Sequence, residues 1–132
     1  MITESATASD GAHAAWLLGH NDKGPLSLSA MAGSNPTDCA FLPDGDLLVL
    51  ERGISLFSFI MRLRLIPANE VRPGNAMTGR VILSGAGSDI DNMEGVAVHQ
   101  GPNGETRILL VSDNNFNGWE RTLLLEFALP AD

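Results

Sequence analysis

Short apolar runs, separated at close intervals by turn-forming residues, dominate the pattern of hydrophobic and polar positions along the chain. Turn signals include Pro43-Asp44-Gly45, Arg72-Pro73-Gly74-Asn75 and Pro102-Asn103-Gly104. Few apolar residues recur at helical spacing over a long window, so the pattern predicts an all-β protein. The run 56–66 also allows a short helix. The predicted strands are 26–30, 39–42, 47–51, 56–66, 80–83, 96–99, 108–112 and 122–129.

Two stretches of the chain repeat the same order of features. Asp38 precedes an apolar strand, a Pro-Asp-Gly turn and a second strand that ends at Glu51. Glu94 precedes a similar strand, a longer Pro-Asn-Gly turn and a strand followed by Asp113, and the two leading acids are 94 − 38 = 56 positions apart. Repeats of about four strands are typical of propeller blades, whose periods are about 40–50 residues. The sequence therefore predicts propeller-type antiparallel blades, and the alternative is two unrelated hairpins.

The length of the chain limits this fold. A propeller closes with about 4–8 blades, and 132 residues are enough for about two. Two blades leave open strand edges, so the chain is predicted to be an incomplete propeller, an open sandwich, or a unit that homo-oligomers or further blades complete. Residues 1–12 are small and polar and are predicted to be a disordered N-terminus, and residues 13–132 are predicted to form the partial domain.

Composition narrows the range of partners. A formal net charge of −8 and a pI near 4.6 disfavour nucleic acid and anionic membrane surfaces, which would repel the chain. No apolar run approaches the roughly 20 residues of a membrane span, and the N-terminus lacks the basic and apolar regions of a signal peptide. Cys39 is the single cysteine, and its apolar neighbours favour a small buried side chain over a nucleophile.

Two segments carry a resemblance to a known family. PTDCAFLPDGDLLVLERG (36–53) and IDNMEGVAVHQGPNGETRILLVSDNNFNGWERTLLLEFAL (90–129) resemble the bacterial "esterase-like activity of phytase" family, also called phytase-like domains. The resemblance covers roughly residues 34–129 and matches the C-terminal part of a longer domain. It implies a β-propeller, usually exported, that is named for its similarity to phytases and esterases. An export signal and upstream blades are missing from this sequence, and the loop after Arg52 is shorter than is usual in the family.

Acidic and amide side chains gather around the second repeat. In a propeller the innermost strand of each blade lines the central channel, and Asp38 and Glu94 lead those strands in the two copies. An all-oxygen set suits a hard cation such as Ca²⁺. The alternative is that these residues are solvated turn residues. The predicted ligands are Asp38, Asp91, Glu94, Asp113 and Asn114.

If the chain hydrolyses esters, some of these residues are predicted to have catalytic roles. A cation lowers the pKa of an attacking water, and Glu94 and Asp91 are the predicted catalytic carboxylates. Arg52 and Arg121 lie in the family-like motifs and are predicted to bind the substrate, although each also suits an ordinary ion pair. The sequence contains no Gly-x-Ser-x-Gly elbow and no His-Glu-x-x-His zinc motif. The expected partner is a small-molecule ester or phosphate. The competing hypotheses are a non-catalytic scaffold or binding module and an inactive remnant.

Overall fold

A computed structural model of the protein describes residues 2–7, 12–18, 23–30, 34–55, 58–86, 93–112 and 124–129. This part of the chain contains eleven β-strands and one short 3-10 helix, Ala68–Glu70. The strands are β1 (Ile2–Thr7), β2 (His13–Leu18), β3 (Lys23–Leu28), β4 (Ser34–Phe41), β5 (Leu47–Ser55), β6 (Ser58–Ile66), β7 (Ala76–Met77), β8 (Arg80–Ala86), β9 (Met93–Gln100), β10 (Thr106–Ser112) and β11 (Leu124–Ala128).

The strands form three sheets, none of which is closed. The first sheet has the order β1-β2-β3-β7, with β7 parallel to β3. The second has the antiparallel order β4-β5-β6-β8, and the third has the antiparallel order β9-β10-β11. The all-β prediction is confirmed, and the ambiguous run 56–66 contains a strand, β6. No helix among the described residues has the length and apolarity of a membrane span.

Both predicted hairpins form, and their turns have the expected chemistry. In the β4–β5 hairpin Ala40 pairs with Leu48, and Gly45 closes the turn with a φ of 93°. In the β9–β10 hairpin Val98 pairs with Ile108, and Gly104 has a φ of 80°. Positive φ angles of this size are readily adopted only by glycine. The Pro-Asp-Gly and Pro-Asn-Gly signals therefore fixed the positions of both hairpins.

Two hydrophobic cores lie between the three sheets. One lies between the second and third sheets and includes Leu48, Leu50, Ile108 and Leu110. The other lies between the first and second sheets and includes Leu28, Val49 and other residues. Strand β4 lies beside β1 on one side and beside β9 on the other. The arrangement is consistent with an incomplete propeller or a sandwich.

The repeat predicted about two blades, so the first sheet was not expected as a separate unit. Strand β1 lies within the stretch 1–12 that was predicted to be a disordered end, and it pairs with β2 through Ile2 and Thr7. The sequence of β1, ITESAT, has few apolar residues and therefore gives no strand signal. The boundary between 1–12 and the rest of the domain stays a prediction.

A buried ion pair joins the first and second sheets. Glu51 on β5 and Arg64 on β6 are almost fully buried, and Arg64 Nε donates to Glu51 Oε2 at 3.2 Å. Arg64 Nη2 donates to Glu51 Oε1, and Arg64 Nη1 donates to the carbonyl oxygens of Ser29 and Thr78 at 2.9 and 3.2 Å. Ser29 and Thr78 follow β3 and β7 of the first sheet. One guanidinium therefore bonds to both sheets.

Replacing Arg64 with methionine is expected to destabilise the protein by about 3–5 kcal/mol, because the Glu51 carboxylate would stay buried without its partner. The double variant Glu51→Met/Arg64→Met should recover part of this loss, since it removes both charges. Urea unfolding measures both values. Arg80→Met is the control, because Arg80 is exposed and its replacement should change stability by less than about 0.5 kcal/mol. Equal losses for the single and double variants would contradict this account.

Candidate functional site

Asp38 connects the inner strands of two sheets. Its Oδ2 accepts a hydrogen bond from the backbone N–H of Val96 on β9 at 2.8 Å. Its Oδ1 accepts a second bond, from the N–H of Cys39, at 2.9 Å. The register of β4 shifts between Pro36 and Asp38, which is a β-bulge or irregularity, and bulges redirect side chains. Asp38 is the fifth residue of β4 rather than the residue that leads the strand, and its carboxylate contacts the strand of the next repeat.

Arg52 and Glu94 form an ion pair across the same two sheets. Arg52 Nη1 lies 2.7 Å from Glu94 Oε1, and the exposed fractions of the two side chains are 34% and 35%. Arg52 lies two positions after Leu50, and alternate residues of a strand share a face. Leu50 packs in the core toward the third sheet, so Arg52 reaches the third sheet as well. We call Asp38, Arg52 and Glu94 the inner-strand site.

Glycine at position 95 is not required for this arrangement. A Cβ atom at Gly95 would lie 3.8 Å from Val111 Cβ and 3.9 Å from Asp38 Oδ2. Both distances are ordinary van der Waals contacts. The position of Glu94 therefore depends on the bonds of Asp38 and Arg52 rather than on a missing side chain.

Four of the predicted site residues, Asp91, Asp113, Asn114 and Arg121, lie outside the described residues. Asp91 precedes β9 by two positions, and Asp113 directly follows Ser112, the last residue of β10. Ser112 pairs with Met93, the residue before Glu94. In the part of the chain that the structure describes, no three His, Cys, Asp or Glu side chains form a group that could hold a metal ion. The roles assigned to these four residues stay predictions.

The described carboxylates keep the capacity to bind a cation. Each Asp38 oxygen accepts one hydrogen bond within the described residues, and a carboxylate oxygen has two lone pairs. Glu94 is bonded to Arg52 through Oε1, so a cation at Glu94 would share that carboxylate with the guanidinium. Two carboxylates and one guanidinium leave the site with a formal charge of −1. The donor set therefore fits a hard cation in part, and a complete shell needs oxygens from outside the described residues.

Adjacent residues of β5 form ion pairs on the sides of different sheets, and this division was not predicted from the sequence. Glu51 bonds to Arg64 on the side of the first sheet, and Arg52 bonds to Glu94 of the third sheet. The strict alternation of side chains along a strand requires this division. The signal was present in the motif LLVLER, where the buried residue Glu51 directly precedes Arg52. The arginine partner of Glu51 is thirteen residues away in sequence, and no local pattern identified it.

Cys39 lies beside Asp38 and faces the other way. It packs against the core between the first and second sheets and lines a cavity of about 130 Å³ there. Partial burial raises the pKa of the Cys39 thiol, and the neighbouring Asp38 charge raises it further. This agrees with the expected small apolar side chain rather than a nucleophile.

Comparison with known proteins adds one match. The family model described as "Phytase-like: Esterase-like activity of phytase" matches residues 1–116. No curated protein and no solved structure matches the chain. The matched range begins before the motifs that carry the resemblance and includes the first sheet and all of the inner-strand site. It ends before the RTLLLEF segment.

Replacing Asp38 with alanine is expected to destabilise the protein by about 1–3 kcal/mol, because two backbone N–H groups lose a charged acceptor. Asp38→Asn should cost less, since the amide oxygen keeps one acceptor. Urea unfolding followed by circular dichroism measures the difference. Asp44→Ala is the control, because Asp44 accepts one bond in an exposed turn. A loss for Asp38→Ala no larger than that of the control would show that the link between the strands contributes little.

Cys39 is expected to react slowly with a thiol reagent at pH 8, and faster after unfolding in urea, because burial keeps the thiol protonated. The folded state holds this proton more tightly than the unfolded chain does. The resulting stabilisation is present below the ordinary thiol pKa and is lost as the pH rises above it. Reaction rates measured between pH 7 and 10 test this. Equal rates in the folded and unfolded chains would contradict it.

Proposed function

This chain belongs to the phytase-like family, and we propose that it forms part of a cation-assisted hydrolase of phosphoric or carboxylic esters. The observation that supports the proposal is the inner-strand site. A half-exposed arginine and a half-exposed glutamate from two different sheets lie 2.7 Å apart, beside a second carboxylate that links the same sheets. A cationic group for binding an anion and a carboxylate for accepting a proton are the side chains that ester hydrolysis needs.

Arg52 is the proposed substrate-binding residue. A guanidinium presents five N–H donors in a planar fork, and this geometry matches the oxygens of a phosphate or carboxylate group. Its Nη1 donates to Glu94 in the described contact. The Glu94 carboxylate orients this fork, so the arginine is held in place before the substrate binds. Arg121 is the second proposed substrate-binding residue.

Glu94, with Asp91, is the proposed general base. Its carboxylate accepts a proton from the attacking water, whose oxygen forms a bond to the phosphorus or the carbonyl carbon. The ester bond breaks, and the alcohol oxygen leaves and takes a proton from solvent. Partial burial of Glu94 and its bond to Arg52 fix the direction of the carboxylate.

Calcium is the proposed cofactor. Asp38 and Glu94 would hold it together with Asp91, Asp113 and Asn114. When bound, such an ion neutralises negative charge on the substrate and lowers the pKa of a bound water. Asp38 supports this role because each of its oxygens accepts a single bond from the described residues and its position is fixed by the bond to Val96.

A non-catalytic scaffold or binding module is the alternative, and the contacts of Asp38 favour it. Both of its described bonds are to backbone N–H groups, as is usual for a carboxylate that only stabilises a fold. An ion pair such as that of Arg52 and Glu94 also occurs on many protein surfaces without a catalytic role. An inactive remnant would have the same contacts. Experiments on calcium binding and on turnover separate these possibilities.

Calcium is expected to raise the melting temperature of the protein by several degrees at millimolar concentration. Bound ligand at 100 times its dissociation constant stabilises a protein by about 2.7 kcal/mol. Glu94→Gln should abolish the shift. The matched control is Glu126→Gln, which breaks an exposed contact with His99, about 17 Å along β9 from Glu94 at ~3.4 Å per residue. A wild-type protein without any shift would rule out the proposed calcium site.

Turnover is tested with p-nitrophenyl phosphate and p-nitrophenyl butyrate in calcium buffer. Arg52→Gln is expected to raise KM more than it lowers kcat, and Glu94→Gln should lower kcat by about 100-fold or more. Arg72→Gln is the control, because Arg72 is exposed on a loop of the first sheet. If the wild-type protein binds calcium but turns over neither substrate faster than Glu94→Gln does, the result would support the binding module instead.

A further inference from the structure

A groove of about 790 Å³ lies between the second and third sheets, away from the inner-strand site. Strand β8 forms one wall, and the end of β11 forms part of the other. Val81 on β8 faces this space with 39% of its surface exposed. None of the residues of the inner-strand site lines the groove. The apolar residues that line it include Leu42, Leu65, Ile82, Leu83, Phe127 and Leu129.

The groove lies where the third sheet has one strand fewer than the second. In the second sheet β6 pairs with β8, and β8 forms the outer edge. The third sheet has only β9, β10 and β11 among the described residues, and β11 pairs there with β10 alone. Leu124 and Leu125 on β11 are 64% and 36% exposed. Among the described residues, no strand pairs with the outer edge of β11, which lies next to an apolar groove.

An extended segment has the shape that this space requires. A strand added to the edge of β11 would complete a fourth strand in the third sheet, opposite β8. Alternate side chains of an added strand point to the same face, so every second one would enter the groove. Phe127 shows the direction, because it lies on β11 and packs against the core between the two sheets.

The charges around the groove indicate which kind of segment fits. Asp44, Asp46, Glu105 and Arg80 line it, and Glu105 is paired with Arg107 at 2.8 Å, so the charge with that arginine included is −3 + 2 = −1. Asp44 accepts a bond from the N–H of Asp46, and Asp46 accepts one from the N–H of Ala68. Both donors are backbone N–H groups rather than basic side chains. A second copy of this chain carries a net charge of −8 and is a poor match for an acidic rim.

We propose that this groove binds an extended, basic segment of a partner protein as an added strand along β11. Apolar side chains at alternate positions fill the space beside Val81 and Phe127, and lysine or arginine side chains lie near Asp44 and Asp46. Main-chain hydrogen bonds to the strand edge supply affinity, and the side chains supply selectivity. The proposal does not depend on the hydrolase function, because the two sets of residues do not overlap.

Fluorescence anisotropy with labelled nine-residue peptides tests this binding. A peptide of alternating valine and lysine is expected to bind at least 10-fold more tightly than the same peptide with glutamate in place of lysine. A third peptide, with proline at two central positions, should bind weakly because it lacks N–H donors for the edge. Equal binding of the lysine and proline peptides would overturn the proposal, since it would show simple charge attraction.

The variant Val81→Lys places a longer side chain in the groove. It should weaken binding of the lysine peptide by at least 10-fold. Val81 is partly exposed, so the variant is expected to fold, and its melting temperature checks this. Arg72→Gln is the control outside the groove. Light scattering at several protein concentrations measures the oligomeric state and so tests whether a second copy of the chain occupies the groove. A dimer that Val81→Lys abolishes, or peptide binding that Val81→Lys leaves unchanged, would overturn the proposal.

Discussion

The hydrogen bond from the backbone N–H of Val96 to the carboxylate of Asp38 is the contact on which the inner-strand site depends. Strands β4 and β9 belong to different sheets, so no backbone ladder joins them in the described part of the chain. Apolar packing holds the two sheets together, but packing alone allows them to slide. A carboxylate bonded to one specific N–H fixes their relative position. Glu94, two residues before Val96, is thereby held within reach of Arg52.

The two ion pairs of β5 show how exposure divides structure from function. Glu51 and Arg64 are buried, and such a pair has to offset a desolvation cost before it contributes to stability. Arg52 and Glu94 are one-third exposed, so their desolvation cost is small and so is their contribution to stability. A pair that contributes little is also a pair that a ligand can open at low cost. The exposed pair is therefore the one at which we propose that a substrate binds, although both pairs lie on the same strand.

The hairpins could be predicted from the sequence because turn residues, which are local signals, mark them. The strand boundaries could not, since β4 begins four residues before Asp38 and β9 begins one residue before Glu94. The first sheet could not be predicted in this way, because ITESAT in β1 has no apolar alternation and β7 has only two residues. The bond between Asp38 and Val96 spans 58 positions and depends on the irregular register of β4. Contacts of that range depend on how the sheets pack.

The two proposed sites lie at opposite edges of the third sheet, so each would bind its ligand at a separate place. Glu94 lies on β9, the strand beside the second sheet, and the open groove adjoins β11 on the other edge. Arg52 suits an anionic group of a substrate, whereas the groove rim suits basic side chains. An anionic substrate is therefore poorly matched to the groove. Strand β9 packs beside β4 in the apolar core, whereas β11 pairs with β10 alone among the described residues. A segment bound along β11 would therefore add hydrogen bonds at the edge where the described sheet has fewest partners.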